Sequence, residues 1–140
     1  MDIHFSEQPL NEQEQETVIA GFEQHSQQFD APPYELKPLI WRLYDDEQQL
    51  VGVLTAKALW DWVYIDELWV SESLRGTGQG KELISKVESY AFGENFKGLW
   101  LWTQSWQAEQ FYLYLGFEEF CRFPDFPAGH ERIGLRKILS

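Results

Sequence analysis

A glycine-rich stretch, SLRGTGQGKEL from Ser73 to Leu83, limits what this chain can fold into more than any other feature. An apolar run over Trp62–Val70 precedes it, and a helical pattern with Ile84 and Val87 on the same face as Leu83 follows it. Glycine is favoured where the backbone adopts positive φ or approaches a ligand closely. Backbone amides at the start of a helix bind anions. The stretch therefore predicts a strand, an anion-binding loop and a helix in that order.

The remaining elements follow from hydrophobic periodicity. Residues 11–24 carry a helical pattern in which Val18, Ile19 and Phe22 are expected to form one buried stripe. A further helix places Ala108, Phe111, Tyr112 and Leu115 on one face. Strands are predicted over residues 39–44, 49–58, 62–70, 99–103, 117–123 and 132–139.

The order of these elements indicates an α/β fold, a mixed sheet flanked by helices on both faces. No repeat, Gly/Ser linker or low-complexity tract interrupts the 140 residues. Length alone suggests one domain, so a single domain over residues 1–140 is expected.

Charge bears on the class of partner. The chain has 11 Lys and Arg against 23 Asp and Glu, a formal net charge of −12. Such an acidic chain is not expected to bind nucleic acid, which needs a basic face. It suits a cationic substrate, although an acidic surface also serves solubility alone.

Cysteine content and hydropathy bear on location. Cys121 is the single cysteine, so no internal disulfide forms. The polar start MDIHFSEQ is unlike a signal peptide, and the apolar run before the glycines is broken by Asp61, Asp66 and Glu67. A cytoplasmic protein without a membrane partner is expected, and a homodimer is left open.

Three anion-binding patterns compete for the glycine stretch. The dinucleotide fingerprint fails because Lys81 occupies the position of its third glycine. The P-loop pattern fails because Arg75 stands where its first glycine belongs and Glu82 where it needs Ser or Thr. The pattern R/Q-x-x-G-x-G/A is met by Arg75, Gly78 and Gly80. A plain glycine-rich turn is the remaining structural alternative.

A second segment, SWQAEQFYLYLGF from Ser105 to Phe117, narrows the choice. With YIDELWVSESLRGTGQGKEL it resembles the GNAT superfamily of acyl-CoA-dependent N-acyltransferases. The ending FPDFPAGHERIGLRKIL looks like the closing hairpin of small bacterial members, whereas the N-terminal third agrees only in pattern. The resemblance implies a splayed sheet and transfer of an acetyl group from acetyl-CoA to a primary amine by direct attack in a ternary complex. The amine is left open between a small amine, a polyamine or antibiotic, and a protein or peptide amine.

The resemblance also implies which residues hold the cofactor. In that family the loop binds the pyrophosphate of coenzyme A, and the preceding strand pairs with the pantetheine arm as an added strand would. Ser105 stands where many relatives carry an asparagine that contacts the cofactor. The implied cofactor-binding residues are Leu68, Trp69, Val70, Arg75, Gly76, Thr77, Gly78, Gln79, Gly80, Lys81, Ser105 and Tyr112.

Acyl transfer to an amine needs a base for the amine and a proton for the departing thiolate. Tyr112 occupies the position of the family's general acid, and core packing is the alternative role for this residue. Tyr114 is a weaker candidate for the acid. Asp66 and Glu67 are the candidate bases. Alternation sends them to opposite faces unless a bulge re-aims one of them. Asp66 is favoured because it matches the position used in polyamine-acetylating relatives, although both carboxylates could simply attract a cationic substrate.

Two other classes of function remain open from the sequence. One is a non-catalytic acyl-CoA-binding or regulatory module, and the other is a nucleotide-binding protein that uses the same loop. His4, His25 and His130 show no ligand spacing, so no metal is expected; His130 could instead touch substrate. The seven tryptophans are expected to be shared between the core and an aromatic wall able to hold a cation.

Overall fold

The computed structural model describes residues 1–139 and divides the chain into two compact units. One unit is Met1–Glu35 and the other begins at Leu36. The single domain over residues 1–140 stays a prediction.

The N-terminal unit contains one helix, α1 (Glu12–Gln27). It begins after Asn11, whose side-chain oxygen accepts the amide hydrogen of Glu14 at 2.8 Å, as an N-cap does. No residue of α1 is buried, so the predicted buried stripe is not found. The physical reason is that this unit contains no other helix or strand against which α1 could bury a face.

The second unit has six strands and three helical segments. Sequence periodicity placed each strand to within two residues of its observed bounds, and the short 3₁₀ helix α2 was not predicted. In chain order the elements are β1 (Lys37–Tyr44), β2 (Leu50–Leu59), β3 (Trp62–Val70), α2 (Glu72–Leu74), α3 (Gln79–Gly93), β4 (Gly98–Gln104), α4 (Glu109–Tyr114), β5 (Glu118–Pro124) and β6 (Glu131–Ile138).

The strands form one sheet in the order β1-β2-β3-β4-β6-β5. All neighbouring strands are antiparallel except β3 and β4, which are parallel and joined by the crossover through α3. Pairing between β3 and β4 covers only Trp62–Ile65 against Gly98–Leu101. Beyond Ile65 the two strands separate, which confirms the mixed, splayed sheet.

One face of the sheet carries the hydrophobic core. The helix α3 buries Leu83, Ile84, Val87 and Ala91 in the cluster that also contains Tyr112 of α4. Lys137 lies on this face, where its ammonium contacts a Glu88 carboxylate oxygen at 2.8 Å and the Leu115 carbonyl at 2.7 Å. The helices α3 and α4 therefore share one face, and a helix on the other face stays a prediction.

The opposite face, called the second face below, is lined by aromatic rings because strand residues alternate between faces. Trp62, Tyr64, Trp100, Trp102 and Phe120 belong to it. Gly134 gives Phe120 its place, since a Cβ added at Gly134 would lie only 2.8 Å from the Phe120 ring. No helix of the described chain is long and apolar enough to cross a membrane.

Candidate active site

The glycine stretch leads directly into α3, as the sequence predicts. Gly76 and Gly78 have φ of 79° and 88°, values that favour glycine over any residue with a Cβ. Gly78 is the N-cap of α3, and no side chain caps this helix. A Glu82 amide donates to the Gly78 carbonyl at 3.0 Å. The amides of Gln79, Gly80 and Lys81 therefore have no acceptor within the helix and remain available to an anion.

A groove of about 430 Å³ runs along this helix start. Residues that sequence analysis did not assign to it also contribute, among them Phe111, whose ring would lie 3.5 Å from a Cβ at Gly80. The spacing of Ala108 and Phe111 on one helical face was the available signal. The lining residues are Leu68, Trp69 and Val70 of β3, Leu74, Arg75 and Gly76 of the loop, Gly78, Gln79, Gly80 and Lys81 at the helix start, and Ala108 and Phe111.

The splay of the sheet opens one edge of β3 toward this groove. Leu68, Trp69 and Val70 pair with β2 on one side, where Leu54 lies opposite Leu68. On the β4 side, no pairing in the described chain follows Ile65. The backbone groups on this side can therefore bind an extended ligand arm in the manner of an added strand.

Three implied cofactor residues lie outside the lining of the groove. The Thr77 hydroxyl donates to the Leu74 carbonyl at 2.5 Å and so stabilises the turn. Ser105 joins β4 to β6, because its hydroxyl accepts the Glu131 amide at 3.1 Å and its own amide donates back at 2.9 Å. The third is Tyr112, which lies in the core. Their roles toward a cofactor stay predictions.

Tyr112 is 8% exposed, and its ring lies against Phe111 and Phe117 at centroid distances of 5.1 and 5.5 Å. Burial raises the pKa of its phenol to about 12. The hydroxyl is therefore protonated at neutral pH and can donate a proton or a hydrogen bond. Tyr114 is 82% exposed and belongs to no comparable cluster.

A β-bulge in β3 decides where the two carboxylates lie. Ile65 pairs with Ala56 and Glu67 pairs with Thr55, so Asp66 is an extra residue without a partner on β2. Simple alternation would send Asp66 and Glu67 to opposite faces. The bulge instead brings both to the second face, where Asp66 is 3.3 Å from the Lys57 ammonium and Glu67 accepts the Thr55 hydroxyl at 3.1 Å.

A second concavity, the aromatic cavity, measures about 700 Å³. Its walls on the second face include Trp62, Tyr64, Trp100 and Phe120, and it reaches Lys57. The Tyr64 and Trp100 rings lie 4.5 Å apart, and those of Trp100 and Phe120 lie 6.3 Å apart. Burial, and after it the charge of Asp66, raises the pKa of Tyr64, so this phenol is neutral at physiological pH. The sequence predicts an aromatic wall able to hold a cation, but neither its place nor a cavity.

Three other tryptophans have different surroundings. Trp69 lines the groove, and Trp102 stacks under the Arg132 guanidinium at 4.7 Å. Trp106 packs edge-on against His130 with ring centroids 4.8 Å apart. Among residues 1–139 no three His, Cys, Asp or Glu side chains gather as metal ligands would, and a metal-free site stays an expectation.

The chain is similar in sequence to one known acetyltransferase and in fold to several solved structures. A blasticidin-S acetyltransferase of Streptomyces morookaense is 33% identical over 103 residues, which cover 70% of this chain and 75% of that protein. An acetyltransferase of Bacillus cereus superposes with a TM-score of 0.82 at 24% identity, covering 96% of this chain and 98% of the other. An aminoglycoside 6'-N-acetyltransferase in complex with coenzyme A superposes with a TM-score of 0.66 at 16% identity, covering 72% of each chain. The family model for acetyltransferases of the GNAT family matches residues 4–117, and the chain belongs to this family.

Proposed function

We propose that this acetyltransferase transfers an acetyl group from acetyl-CoA to a primary amine of a small cationic molecule, by direct attack in a ternary complex. The observation that carries the proposal is the arrangement along β3. Leu68–Val70 borders the groove with its backbone, while Asp66 and Glu67 directly before them project to the second face. A donor held in the groove and an amine held by the carboxylates would meet at this strand.

The residues of the groove fit acetyl-CoA. Its pyrophosphate suits the amides of Gln79, Gly80 and Lys81, together with the Lys81 charge. Its pantetheine arm suits the unpaired edge at Leu68–Val70. The complex of the aminoglycoside acetyltransferase with coenzyme A supports the same use of the shared fold.

The chemistry assigns one role to each group. Asp66 takes a proton from the ammonium form of the acceptor, and the neutral amine nitrogen then attacks the acetyl carbonyl carbon. A backbone amide near Leu68 or Trp69 stabilises the oxyanion as the C–N bond forms. The C–S bond breaks as Tyr112 donates a proton to the departing sulfur, and the proton that the new amide nitrogen loses returns to the phenolate through solvent. The products are an acetamide and CoA with a free thiol.

Two observations support a small cationic acceptor. The carboxylates of Asp66 and Glu67 lie side by side on one face, where they attract a positive charge. The relatives named for blasticidin S and for aminoglycosides act on small-molecule antibiotics, which supports the same class here.

Release of CoA from acetyl-CoA tests the proposal. The amine panel consists of blasticidin S, an aminoglycoside, spermidine, and peptides with a free N-terminus or an internal lysine. We expect turnover with small-molecule amines and a product heavier by one acetyl group. Turnover confined to the peptides would contradict the acceptor class. Binding of CoA without turnover of any amine would contradict the enzyme and favour an acyl-CoA-binding module.

A further inference from the structure

We propose that the aromatic cavity binds a flat, uncharged aromatic ring of the acceptor and thereby selects arylalkylamines. The inference rests on the proposed acetyl transfer and names the substrate class of that same site. Rings from three strands wall the cavity, contributed by Trp62 and Tyr64 of β3, Trp100 of β4 and Phe120 of β5. Tilted and edge-on rings of this kind favour a further ring in stacked or T-shaped contact.

The charges of the cavity argue for a neutral ring over a second cation. Lys57 and Arg136 line it, and each is a cation already paired with a carboxylate, Asp66 at 3.3 Å and Glu118 at 3.0 Å. The acidic residue of the lining, Asp61, lies 3.5 Å from the Lys97 ammonium. The charges of the lining are therefore compensated in pairs, and the lining offers an incoming cation no carboxylate without a counterion.

The cavity lies within reach of the carboxylates. Lys57 belongs to its lining and also contacts Asp66 directly. Along β3, Tyr64 precedes Asp66 by two residues and Trp62 by four. At a strand rise of ~3.3 Å per residue, the ring and the amine of the acceptor should lie roughly 7–13 Å apart. A ring attached through a chain of about four atoms meets this requirement, whereas benzylamine is too short.

The deciding experiment compares kcat/KM for matched amines with acetyl-CoA as donor. The probes are 4-phenylbutylamine, 4-cyclohexylbutylamine, n-butylamine, benzylamine and 1,6-diaminohexane. We expect kcat/KM for 4-phenylbutylamine to be about tenfold or more above that for n-butylamine, because n-butylamine has no ring to bury. The same difference is expected against benzylamine, whose ring is too close to the amine to reach the cavity. 4-Phenylbutylamine should exceed its cyclohexyl analogue about threefold, because only the aromatic ring gains from ring–ring contact.

Two substitutions connect that preference to the cavity. Phe120→Leu removes one wall at a position 44% exposed and should reduce the aryl preference about threefold. The matched control is Phe92→Leu on α3, an equally conservative change at a residue 62% exposed and outside the cavity, which should leave the preference unchanged. Trp100→Leu should reduce the aryl preference further, by about tenfold. If the Trp100→Leu protein does not fold, Phe120→Leu alone tests the inference.

The outcomes separate the two proposals. Equal kcat/KM for the phenyl, cyclohexyl and butyl amines would overturn the ring-binding inference while leaving acetyl transfer intact. A higher value for 1,6-diaminohexane than for 4-phenylbutylamine would overturn it in favour of a cation site. If no amine is acetylated, the proposed function fails, and titration of tryptophan fluorescence with 4-phenylbutylamine decides the inference alone. Absence of saturable quenching, or equal quenching in wild type and Phe120→Leu, would overturn it.

Discussion

The groove and the aromatic cavity border the same strand, β3, but different parts of the chain build them. The groove is largely backbone, formed by helix amides, two glycines with positive φ and an unpaired strand edge. The cavity is formed by side chains, and it gathers them from β2, β3, β4, β5 and β6. Most of the first site is encoded in one contiguous stretch, whereas the second depends on the register of five strands.

Because of this difference, the two sites should tolerate different side-chain substitutions. A site made of backbone amides is insensitive to most side-chain replacements and highly sensitive to a group that fills the space of its anion. A site made of side chains should change its selectivity gradually as single residues change.

Gly80→Glu places a carboxylate at the helix start where the pyrophosphate is expected. Gly80 has no positive φ, so the substitution does not strain the backbone. Juxtaposed like charges cost several kcal/mol, so the CoA Kd should rise about 10³-fold or more, measured by calorimetry. Gly80→Ala should bind normally because its Cβ would be in ordinary contact with Phe111. Gly93→Glu, at the far end of the same helix, is the charge-matched control, and wild-type affinity in a folded Gly80→Glu would refute the groove assignment.

Tyr112→Phe removes the candidate acid with almost no loss of contact area. General acids contribute ~10²–10⁴-fold. We expect kcat to fall about 10²-fold, the low end, since a phenol of pKa about 12 is a weak acid toward a thiolate whose conjugate thiol has a pKa near ~8.5. The CoA Kd should not change, and Tyr114→Phe is the control. Unchanged kcat would leave Tyr112 with packing alone.

Tyr112→Phe should also change how the free energy of unfolding depends on pH above pH 10. The Tyr112 pKa rises from 10.0 in the unfolded reference to about 12 in the fold, so between these values the unfolded state holds fewer protons. Stability from this group is complete below pH 10 and is lost as pH rises toward 12, by up to ~2.7 kcal/mol. Urea unfolding across this range should show a steeper loss in wild type than in Tyr112→Phe, because the contribution of Tyr64, whose pKa is also raised, is common to both proteins. Parallel curves would show that the phenol titrates normally.

Asp66→Asn and Glu67→Gln test the two carboxylates on β3 that lie beside the cavity. We expect Asp66→Asn to lower kcat about tenfold at neutral pH, less than the usual ~10²-fold of a general base because Lys57 already engages this carboxylate. The loss should shrink as pH approaches the amine pKa. Glu67→Gln should raise the amine KM with little change in kcat. The opposite pattern in pH–rate profiles would exchange the two roles.

Thr55→Val is expected to have the smallest effect. It removes the hydroxyl that donates to Glu67 at 3.1 Å and keeps the β-branched shape. An exposed hydrogen bond of this kind is worth about 1 kcal/mol or less, so the amine KM should rise about two- to threefold. Thr17→Val, which removes a hydroxyl bond to the Gln13 carbonyl in α1, is the control and should not change KM. A change in CoA Kd would show that the two sites are not separable.

Much of the fold was predictable because local patterns agree with it. The bounds Trp62–Val70 for β3 match, and Gly78 caps the helix where the glycine pattern places it. The bulge at Asp66 was not predictable, because no residue type there demands an extra residue and the register shift depends on pairing with Thr55 and Ala56.

For the candidate site, the sequence predicted the path of the backbone but not the directions of the side chains. The motif positions of β3 and the loop line the groove, whereas Thr77 and Ser105 bond to nearby backbone groups outside it. A sequence match fixes the path of the chain but not the rotamer that decides where a hydroxyl points. Phe111 was assigned to packing because helical periodicity cannot distinguish a ring that covers a core from one that borders a ligand groove.

The four residue pairs between β3 and β4 also have a mechanical consequence. They are the only ladder that holds β1-β2-β3 to β4-β6-β5 within the described residues, so the sheet behaves as two plates joined along a short seam. The helix α3 packs across β2, β3 and β4 and braces that seam from one side. Bending of the sheet should therefore be concentrated at these four residue pairs. Beyond Ile65, β3 and β4 can change their separation while each half of the sheet keeps its own hydrogen bonds. The gap between β3 and β4 can therefore widen or narrow while the three-stranded halves on either side of it stay rigid.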